Sequence, residues 1–251
     1  MDHTLAFWLM AVLATFLVGA SKGGLPLVGM LAVPMMALVM SPVMAAGLLL
    51  PLYVVSDMYG LWLYRKNYSL RNLQIIVPAA AVGIFIGWAT ATITSEVVVK
   101  LIVAVIGLFY ILDTILKARR VVEPKPADIA RGVFWGTLTG FTSFVSHAGA
   151  PPYQMYVLPQ KLDKMTYAGT ATIAFAIINA LKLPPYWLLG QINLSSLETC
   201  AVLAPVSMIG AWSGYRLTRV VPEKLFFRAV ELALFLVSLL LLWDVWKHYA
   251  A

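Results

Sequence analysis

The chain has 251 residues, of which 61% are hydrophobic and 12% are charged, and its mean hydropathy is +0.87. This composition excludes an ordinary soluble domain and is typical of a polytopic membrane protein. The excess of seven positive charges lies between the apolar segments, which fits cytoplasmic loops and predicts no nucleic-acid partner. The single cysteine, Cys200, allows neither a disulfide nor a thiolate metal site within the chain. The residues before the first apolar segment carry no Lys or Arg, so we expect that segment to be retained rather than removed as a signal peptide.

The first apolar stretch is interrupted near its middle. Residues 5–20 and 24–40 are apolar, and Ser21-Lys22-Gly23-Gly24 separates them. One helix over both segments would be about 54 Å long, whereas the hydrocarbon core of a membrane is about 30 Å thick. We therefore predict a pair of short helices, with the break inside protein. Ordinary spans are expected at 43–64, 72–94 and 96–117.

A polar, proline-bearing segment at 119–128 predicts a cytoplasmic linker, after which the same pattern returns. An apolar segment at 129–146 stops at His147, and a short segment follows at 149–159. Three further spans are expected at 162–183, 194–217 and 223–246.

The two halves of the chain share identities at matching positions. At an offset of 125 residues, four positions agree: Gly24, Pro26, Met30 and Pro34 fall on Gly149, Pro151, Met155 and Pro159. With a three-residue gap, Gly47 falls on Gly169 and Asp57 falls on Asn179. We therefore predict two homologous repeats, 1–118 and 129–251.

The basic residues predict how the repeats are oriented. Lys and Arg cluster after the third segment, in the linker, near 161–164 and near 216–224, so these loops are expected to be cytoplasmic. The loops near 41, 95 and 183–193 carry little charge and are expected outside, as are both termini. An odd number of segments per repeat inverts the second repeat relative to the first. The predicted fold is all-α and polytopic, with two inverted repeats that each hold a broken-helix pair and three transmembrane spans, giving 8–10 membrane segments.

The two interruptions predict an anion site. Irregular backbone at membrane depth persists only where it is buried in protein or lines a cavity, and half-helix N-termini at such breaks attract anions. Small residues followed by proline after each break favour such N-termini, and glycine lets an anion approach the free N–H groups. We expect the two breaks to meet in the membrane, where Lys22 and His147 would add positive charge. The predicted substrate-binding residues are Ser21, Lys22, Gly23, Gly24, Ser146, His147, Gly149, Tyr153 and Gln154.

Each of these residues also has a structural interpretation. Lys22 in a surface loop would extend its ammonium into water, and His147 in a helix interface would form a packing hydrogen bond. Glycines, and polar residues such as Tyr153, commonly serve helix packing alone. Asp57, an acid within an apolar span, and His147 are candidates for proton coupling. A helix-capping or tyrosine-bonded role for Asp57 is the alternative.

The glycine-bearing breaks, the prolines after them and the two tandem halves resemble the sulfite exporter TauE/SafE family, also called the toluene-sulfonate uptake permeases. The breaks of that family are usually richer in glycine than Lys-Gly-Gly and His-Ala-Gly-Ala-Pro-Pro are. The resemblance implies transport of sulfur-containing anions, such as sulfite, thiosulfate or organosulfonates, across a bacterial inner membrane.

The sequence predicts a secondary transporter of small anions that works by alternating access, with a proton or sodium ion as the coupling ion. A passive anion channel and a non-transporting accessory or assembly protein are the alternatives. No metalloprotease motif, phosphate-binding glycine loop or nucleophile elbow occurs, so we expect no enzyme activity, no cofactor and no bound metal.

Overall fold

The computed structural model describes residues 4–117, 123–192 and 194–250. Over these residues the chain contains no strand and forms ten α-helices: α1 Leu5–Lys22, α2 Ala32–Met36, α3 Pro42–Tyr64, α4 Leu70–Ala89, α5 Glu96–Lys117, α6 Ile129–Ser146, α7 Ala150–Val157, α8 Lys164–Leu188, α9 Leu194–Val220 and α10 Glu223–Ala250. By length and composition, α1, α3, α4, α5, α8 and α10 can each cross a membrane. The prediction of an all-α, multi-pass membrane protein is confirmed.

Polar residues set where several helices begin. The side chains of Thr4 and Asp128 accept hydrogen bonds from the third following N–H, at 3.2 Å and 2.8 Å, and so cap α1 and α6. Ser41 caps α3 in the same way, and Pro42 occupies its first turn, where a missing N–H costs nothing. The spans therefore start close to the positions predicted from the sequence.

The helices divide into two compact units, each built from both halves of the chain. Unit 1 comprises Met1–Ser69 and Met165–Val221 and contains α1, α2, α3, α8 and α9. Here α1 packs closely on α9, because Gly19 of α1 and Gly23, its C-cap, face α9, while Gly210 and Gly214 of α9 face α1. Such glycine contacts are typical of membrane helices, where close van der Waals packing drives association.

Unit 2 comprises Leu70–Lys164 and Pro222–Ala251 and contains α4, α5, α6, α7 and α10. Its main contacts are α4 on α6, through Gly83 and Gly140, and α5 on α10, where Gly107 faces Ser238. Asn72 and Gln160 are buried and exchange two amide hydrogen bonds, at 2.9 Å and 3.0 Å.

The segment after the first break differs from the predicted helix over 24–40. Residues 23–24 and 26–27 form turns, a 3₁₀ helix covers Val28–Leu31, and only the five residues of α2 are α-helical. Gly24 has φ +111°, which is outside the helical region, so no helix begins at Gly23-Gly24. A short chain of turns replaces the expected half-helix.

The linker and two span ends also differ from their predicted form. Residues 119–122 of the linker lie outside the described residues, and 123–128 have no regular secondary structure. The α8 helix was expected to end at residue 183 but continues through Pro184 and Pro185 to Leu188. The α4 helix ends at Ala89, five residues before the predicted end. The repeat boundaries 1–118 and 129–251 stay a prediction.

Candidate functional site

The predicted site residues are divided between the two units. The first break and Asp57 belong to unit 1, whereas Ser146, His147 and the residues that follow belong to unit 2. Each group is therefore described on its own, and the joint site expected from the sequence stays a prediction.

Lys22 is the last residue of α1 and forms a buried ion pair. Its Nζ lies 2.8 Å from Oδ1 of Asp57 on α3, and the two residues are 4% and 2% exposed. The ring of Tyr53 lies 4.9 Å from the same nitrogen, and the ring of Phe175 lies 6.0 Å away. The alternative of a lysine in a water-exposed loop is wrong, because the ammonium is enclosed by aromatic and carboxylate groups inside unit 1.

The α8 helix completes this cluster with an amide and a second cation. Asn179 Nδ2 donates a hydrogen bond to Oδ2 of Asp57 at 2.8 Å. Lys182 lies three residues further along α8, is 0% exposed, and lies within electrostatic range of both Lys22 and Asp57. Its Nζ is 5.6 Å from the ring centre of Tyr186. Two lysines and one carboxylate thus share one buried region.

The formal charges of the buried cluster do not cancel. Among the described residues, the buried charged side chains are Lys22, Asp57 and Lys182, which sum to one positive charge. A buried ion pair largely offsets its own desolvation when it is well hydrogen-bonded, whereas a further buried charge costs several kcal/mol. A small anion would neutralise that charge.

Side chains from other helices donate hydrogen bonds to the backbone carbonyls of the turn at the first break. Tyr64 and Thr218 both donate to the carbonyl of Gly23, at 2.6 Å and 3.1 Å. Thr172 donates to the carbonyl of Lys22 at 3.1 Å. A Cβ on Gly24 would come within 2.7 Å of Thr218 Oγ1, so glycine is needed for space as well as for its positive φ.

The expected role of the Gly23 and Gly24 N–H groups needs correction. The N–H of Gly23 donates to the carbonyls of Gly19 and Ala20, at 3.2 Å and 3.1 Å, and that of Gly24 donates to Ser21 at 3.4 Å. These groups close the end of α1 and are not free for an anion. The Ser21 hydroxyl likewise donates to the carbonyl of Val18 at 2.6 Å.

The second break has a different local geometry. The α6 helix ends at Ser146, and His147 adopts a left-handed conformation, with φ 52°. The N–H of Ala148 and the hydroxyl of Ser146 both donate to the carbonyl of Thr142, each at 3.2 Å. The next helix, α7, has Gly149 as its N-cap and prolines in its first turn. Here a short helix does begin directly after the break.

Two polar side chains of α7 are buried behind that N-terminus. Tyr153 is 1% exposed and Gln154 is 0% exposed, whereas His147 is half-buried. Neither the oxygen nor the nitrogen of the Gln154 amide has a hydrogen-bond partner among the described residues. A buried amide without partners costs about 1–3 kcal/mol per group, so Gln154 is available to a polar ligand.

An apolar groove of about 480 Å³ also lies in unit 1, between α3, α8 and the start of α9. Its lining consists only of apolar side chains: Pro51, Val54, Val55, Leu183, Pro184, Trp187, Ile192 and Leu197. The groove therefore offers no partner for an anion. Within the described part of the chain, no group of three or more His, Cys, Asp or Glu residues is placed to hold a metal ion.

Comparison with known families decides what class of protein carries this cluster. The model of the sulfite exporter TauE/SafE family matches residues 9–241. The chain belongs to the TauE/SafE family. Searches of curated proteins and of solved structures found no match. TauE/SafE membership and the six apolar helices indicate a multi-pass membrane transporter of sulfur anions, with a small anion and the lipid bilayer as its partners.

Sequence reasoning missed part of the cluster in this TauE/SafE chain. Lys182 was not singled out, and it falls at the end of the span predicted at 162–183, beside a loop that carries little charge. The missed signal was helical spacing, since Phe175, Asn179 and Lys182 lie on one face of a continuous α8. The pairing of Lys22 with Asp57 was also missed, although both were recognised as charges within apolar segments.

Proposed function

We propose that this chain is a secondary transporter that moves a small sulfur-containing anion, an organosulfonate or an oxyanion such as sulfite or thiosulfate, across the bacterial inner membrane by alternating access. The observation that carries the proposal is the buried cluster of Lys22, Asp57 and Lys182, three ionisable side chains that are enclosed within unit 1 near the end of α1. Buried charge inside an apolar chain is costly and is usually retained for function.

The second break supports the same function. The N-terminus of α7 carries the positive end of a helix dipole, and Gln154 has unpartnered polar atoms 0% exposed to solvent. The proposed binding residues of this break are therefore Gly149, Gln154 and Tyr153, together with the half-buried His147 and Ser146. That these residues and the Lys22 cluster bind one anion together remains a prediction that rests on the repeat pattern.

The packing of the helices supports inverted repeats, on which many transporters that work by alternating access are built. In unit 1, α1 packs on α9, and in unit 2, α6 packs on α4. If α6 is the repeat equivalent of α1, and α4 is that of α9, then the α1–α9 contact and the α6–α4 contact are equivalent. The α5–α10 contact would then join a helix to its own mate.

Coupling to a proton or a sodium ion is part of the proposal. Asp57 could accept a proton only if the Lys22 ammonium moved away, because the two groups form an ion pair at 2.8 Å. Movement of α1 relative to α3 would therefore be linked to protonation of Asp57. His147, half-buried at the second break, is the other candidate.

Binding and uptake by the purified protein test the function. The protein is first screened by thermal shift against methanesulfonate, taurine, sulfite, thiosulfate, sulfate and acetate, since a ligand at 100 times its Kd stabilises by about 2.7 kcal/mol. Anions that stabilise are then tested for uptake into proteoliposomes with imposed proton or sodium gradients. We expect saturable, gradient-dependent uptake of a sulfur-containing anion. Flux without saturation would indicate a channel, and the absence of both binding and uptake would indicate an accessory protein.

A further inference from the structure

Unit 2 buries a polar region that carries no formal charge. Among the described residues of this unit, no Lys, Arg, Asp or Glu side chain is buried. The buried polar side chains around the second break carry hydroxyl and amide groups, and they belong to α6 and α7, which pack on each other. A ligand at this break is therefore recognised mainly by hydrogen bonds.

The hydroxyl groups of α6 already use their protons. Thr139, Thr142 and Ser146 each donate to the backbone carbonyl four residues earlier in the same helix, at 2.7 Å, 2.8 Å and 3.2 Å. Such bonds are a common way for Ser and Thr to be satisfied inside a helix. These three side chains can accept a hydrogen bond from a ligand, but they have no proton left to donate to an anion.

The N-terminus of α7 adds little more than one backbone donor. A helix leaves its first N–H groups without a partner of its own, but Pro151 and Pro152 have no N–H. The N–H of Tyr153 donates to the carbonyl of Gly149 at 3.2 Å. Of the first four residues of α7, only Ala150 thus keeps an N–H that the helix does not use. The helix dipole favours an anion at this end, yet further donors must come from a side chain.

Gln154 is the side chain that can provide them. It begins the second turn of α7 and is 0% exposed, and neither its Nε2 nor its Oε1 has a hydrogen-bond partner in the part of the chain that the structure describes. Long side chains of a helix lean towards its N-terminus, so the Gln154 amide lies over Ala150, one turn earlier on the same face. An amide presents a donor and an acceptor side by side, and here both are unused.

We propose that Gln154 selects the transported anion through two hydrogen bonds, in which its NH₂ group donates to an oxygen of the anion and its carbonyl accepts from a hydroxyl or another donor of the same molecule. The inference rests on the proposed transport function. It narrows the substrate class to sulfur-containing anions that carry a hydrogen-bond donor, such as 2-hydroxyethanesulfonate. An anion without a donor, such as ethanesulfonate, would leave the buried carbonyl of Gln154 without a partner, which weakens binding.

Two sulfonates that differ by one hydroxyl group test this inference. Kd values for 2-hydroxyethanesulfonate and ethanesulfonate, which are both monoanions, are measured by titration calorimetry of the full-length protein in detergent. We expect the wild type to bind the hydroxylated sulfonate about tenfold more tightly or better. Gln154→Met keeps the length of the side chain and removes the amide. It should therefore bind 2-hydroxyethanesulfonate no better than ethanesulfonate.

Gln160→Met is the matched control, since Gln160 is also a buried glutamine of unit 2. Its amide is already engaged, because it exchanges two hydrogen bonds with Asn72 and donates to the carbonyl of Tyr156 at 3.1 Å. We expect Gln160→Met to have a lower Tm and an unchanged preference for the hydroxylated sulfonate. Gln154→Met should instead have a higher Tm and no preference. Loss of the preference in both variants would overturn the inference.

The outcomes separate this inference from the proposed function. If the wild type binds neither sulfonate nor any other anion, the transport proposal fails and the inference falls with it. If the wild type binds the two sulfonates equally well, or binds only other anions, the inference alone is overturned. A preference that persists in Gln154→Met would also overturn it and leave transport in place. Should Gln154→Met fail to fold, Gln154→Leu and the wild-type comparison decide the question by the same criteria.

Discussion

Asp57 and Asn179, which occupy equivalent positions in the two predicted repeats, are hydrogen-bonded to each other at 2.8 Å. A residue can contact its own repeat mate only near the axis that relates the repeats. A second pair of equivalent residues also meets here. Tyr53 and Phe175 are related by the same spacing, and both rings lie beside the Lys22 ammonium. On the predicted repeat pattern, the cluster would lie at the pseudo-symmetry axis, where the acid of one repeat faces the amide of the other.

Substitution of Asn179 tests the charge balance around this contact. Asn179→Asp replaces the amide donor with a second carboxyl group in contact with Asp57, so the two acids must repel each other or share one proton, and we expect a lower Tm that recovers in part as the pH is lowered. Asn179→Leu is the control and should cost about 1.5–3 kcal/mol, because it removes a hydrogen bond to a charged group. A Tm for Asn179→Asp equal to that of the wild type at all pH values would show that the two side chains are not in contact.

The unpartnered amide of Gln154 predicts that its removal raises the stability of the protein and lowers its affinity for the anion. Gln154→Met removes two unsatisfied buried groups at similar volume, so the protein without ligand should be stabilised by about 1–3 kcal/mol while anion affinity falls. Thr15→Val is the matched control, since the Thr15 hydroxyl is also buried and without a partner in the described structure but lies in the middle of α1. It should raise Tm and leave affinity unchanged. A destabilised Gln154→Met with normal binding would show that the amide is already satisfied.

The glycine contacts between helices predict which substitutions can be rescued. A Cβ at Gly19 would overlap the backbone carbonyl of Ser207, so Gly19→Ala should separate α1 from α9 and cost about 1–3 kcal/mol or more. At Gly107 the nearest atom is instead the Ser238 hydroxyl, so Ser238→Ala should rescue Gly107→Ala. Thermal melting of the single and double variants provides the measurement. Equal Tm values for Gly107→Ala with and without Ser238→Ala would show that the α5–α10 contact is not as described.

The two hydrogen bonds to the Gly23 carbonyl predict that substitutions of their donors have non-additive effects on the free energy of unfolding. Tyr64 and Thr218 both donate to it, so Tyr64→Phe or Thr218→Val alone leaves the carbonyl with one partner and should cost about 0.5–1.5 kcal/mol. The double variant leaves a buried carbonyl with neither donor. Its cost should therefore exceed the sum of the two single costs, as a double-mutant cycle of unfolding free energies would reveal. Strict additivity would mean that another donor replaces them.

The orientation of the chain can be read from cysteine labelling. Leu38 is 77% exposed near the first predicted outer loop, and Asn67 is exposed in a predicted cytoplasmic loop. In intact cells, an impermeant maleimide should label Leu38→Cys at once and Asn67→Cys only after permeabilisation. The native Cys200 is 5% exposed and serves as the unlabelled background. The reverse labelling pattern would invert the predicted topology.

The spans could be predicted closely because the length of each apolar segment can be read directly from the sequence. The interruptions at Lys22 and His147 were also visible, since charge and glycine within an apolar run have few explanations. The sequence could not show which side chains of distant helices contact each other. That Asp57 neutralises Lys22, and that Lys182 lies beside them, depends on how α8 is placed against α1 and α3. The same holds for α2, where the turn at Gly24 and contacts from distant helices override the local tendency to begin a helix.

The division of the chain between the units has a consequence for biosynthesis. Lys22 and Asp57 are made early, on α1 and α3, while α8 is made only after α4 to α7. The first lysine can thus pair with its counter-ion as soon as α3 is made, and the neutral ion pair costs less in the bilayer than a lone lysine would. Lys182 follows with α8, when its partners in unit 1 are in place. The order of translation thereby keeps the nascent chain from holding an unbalanced charge in lipid until the helices that shelter it exist.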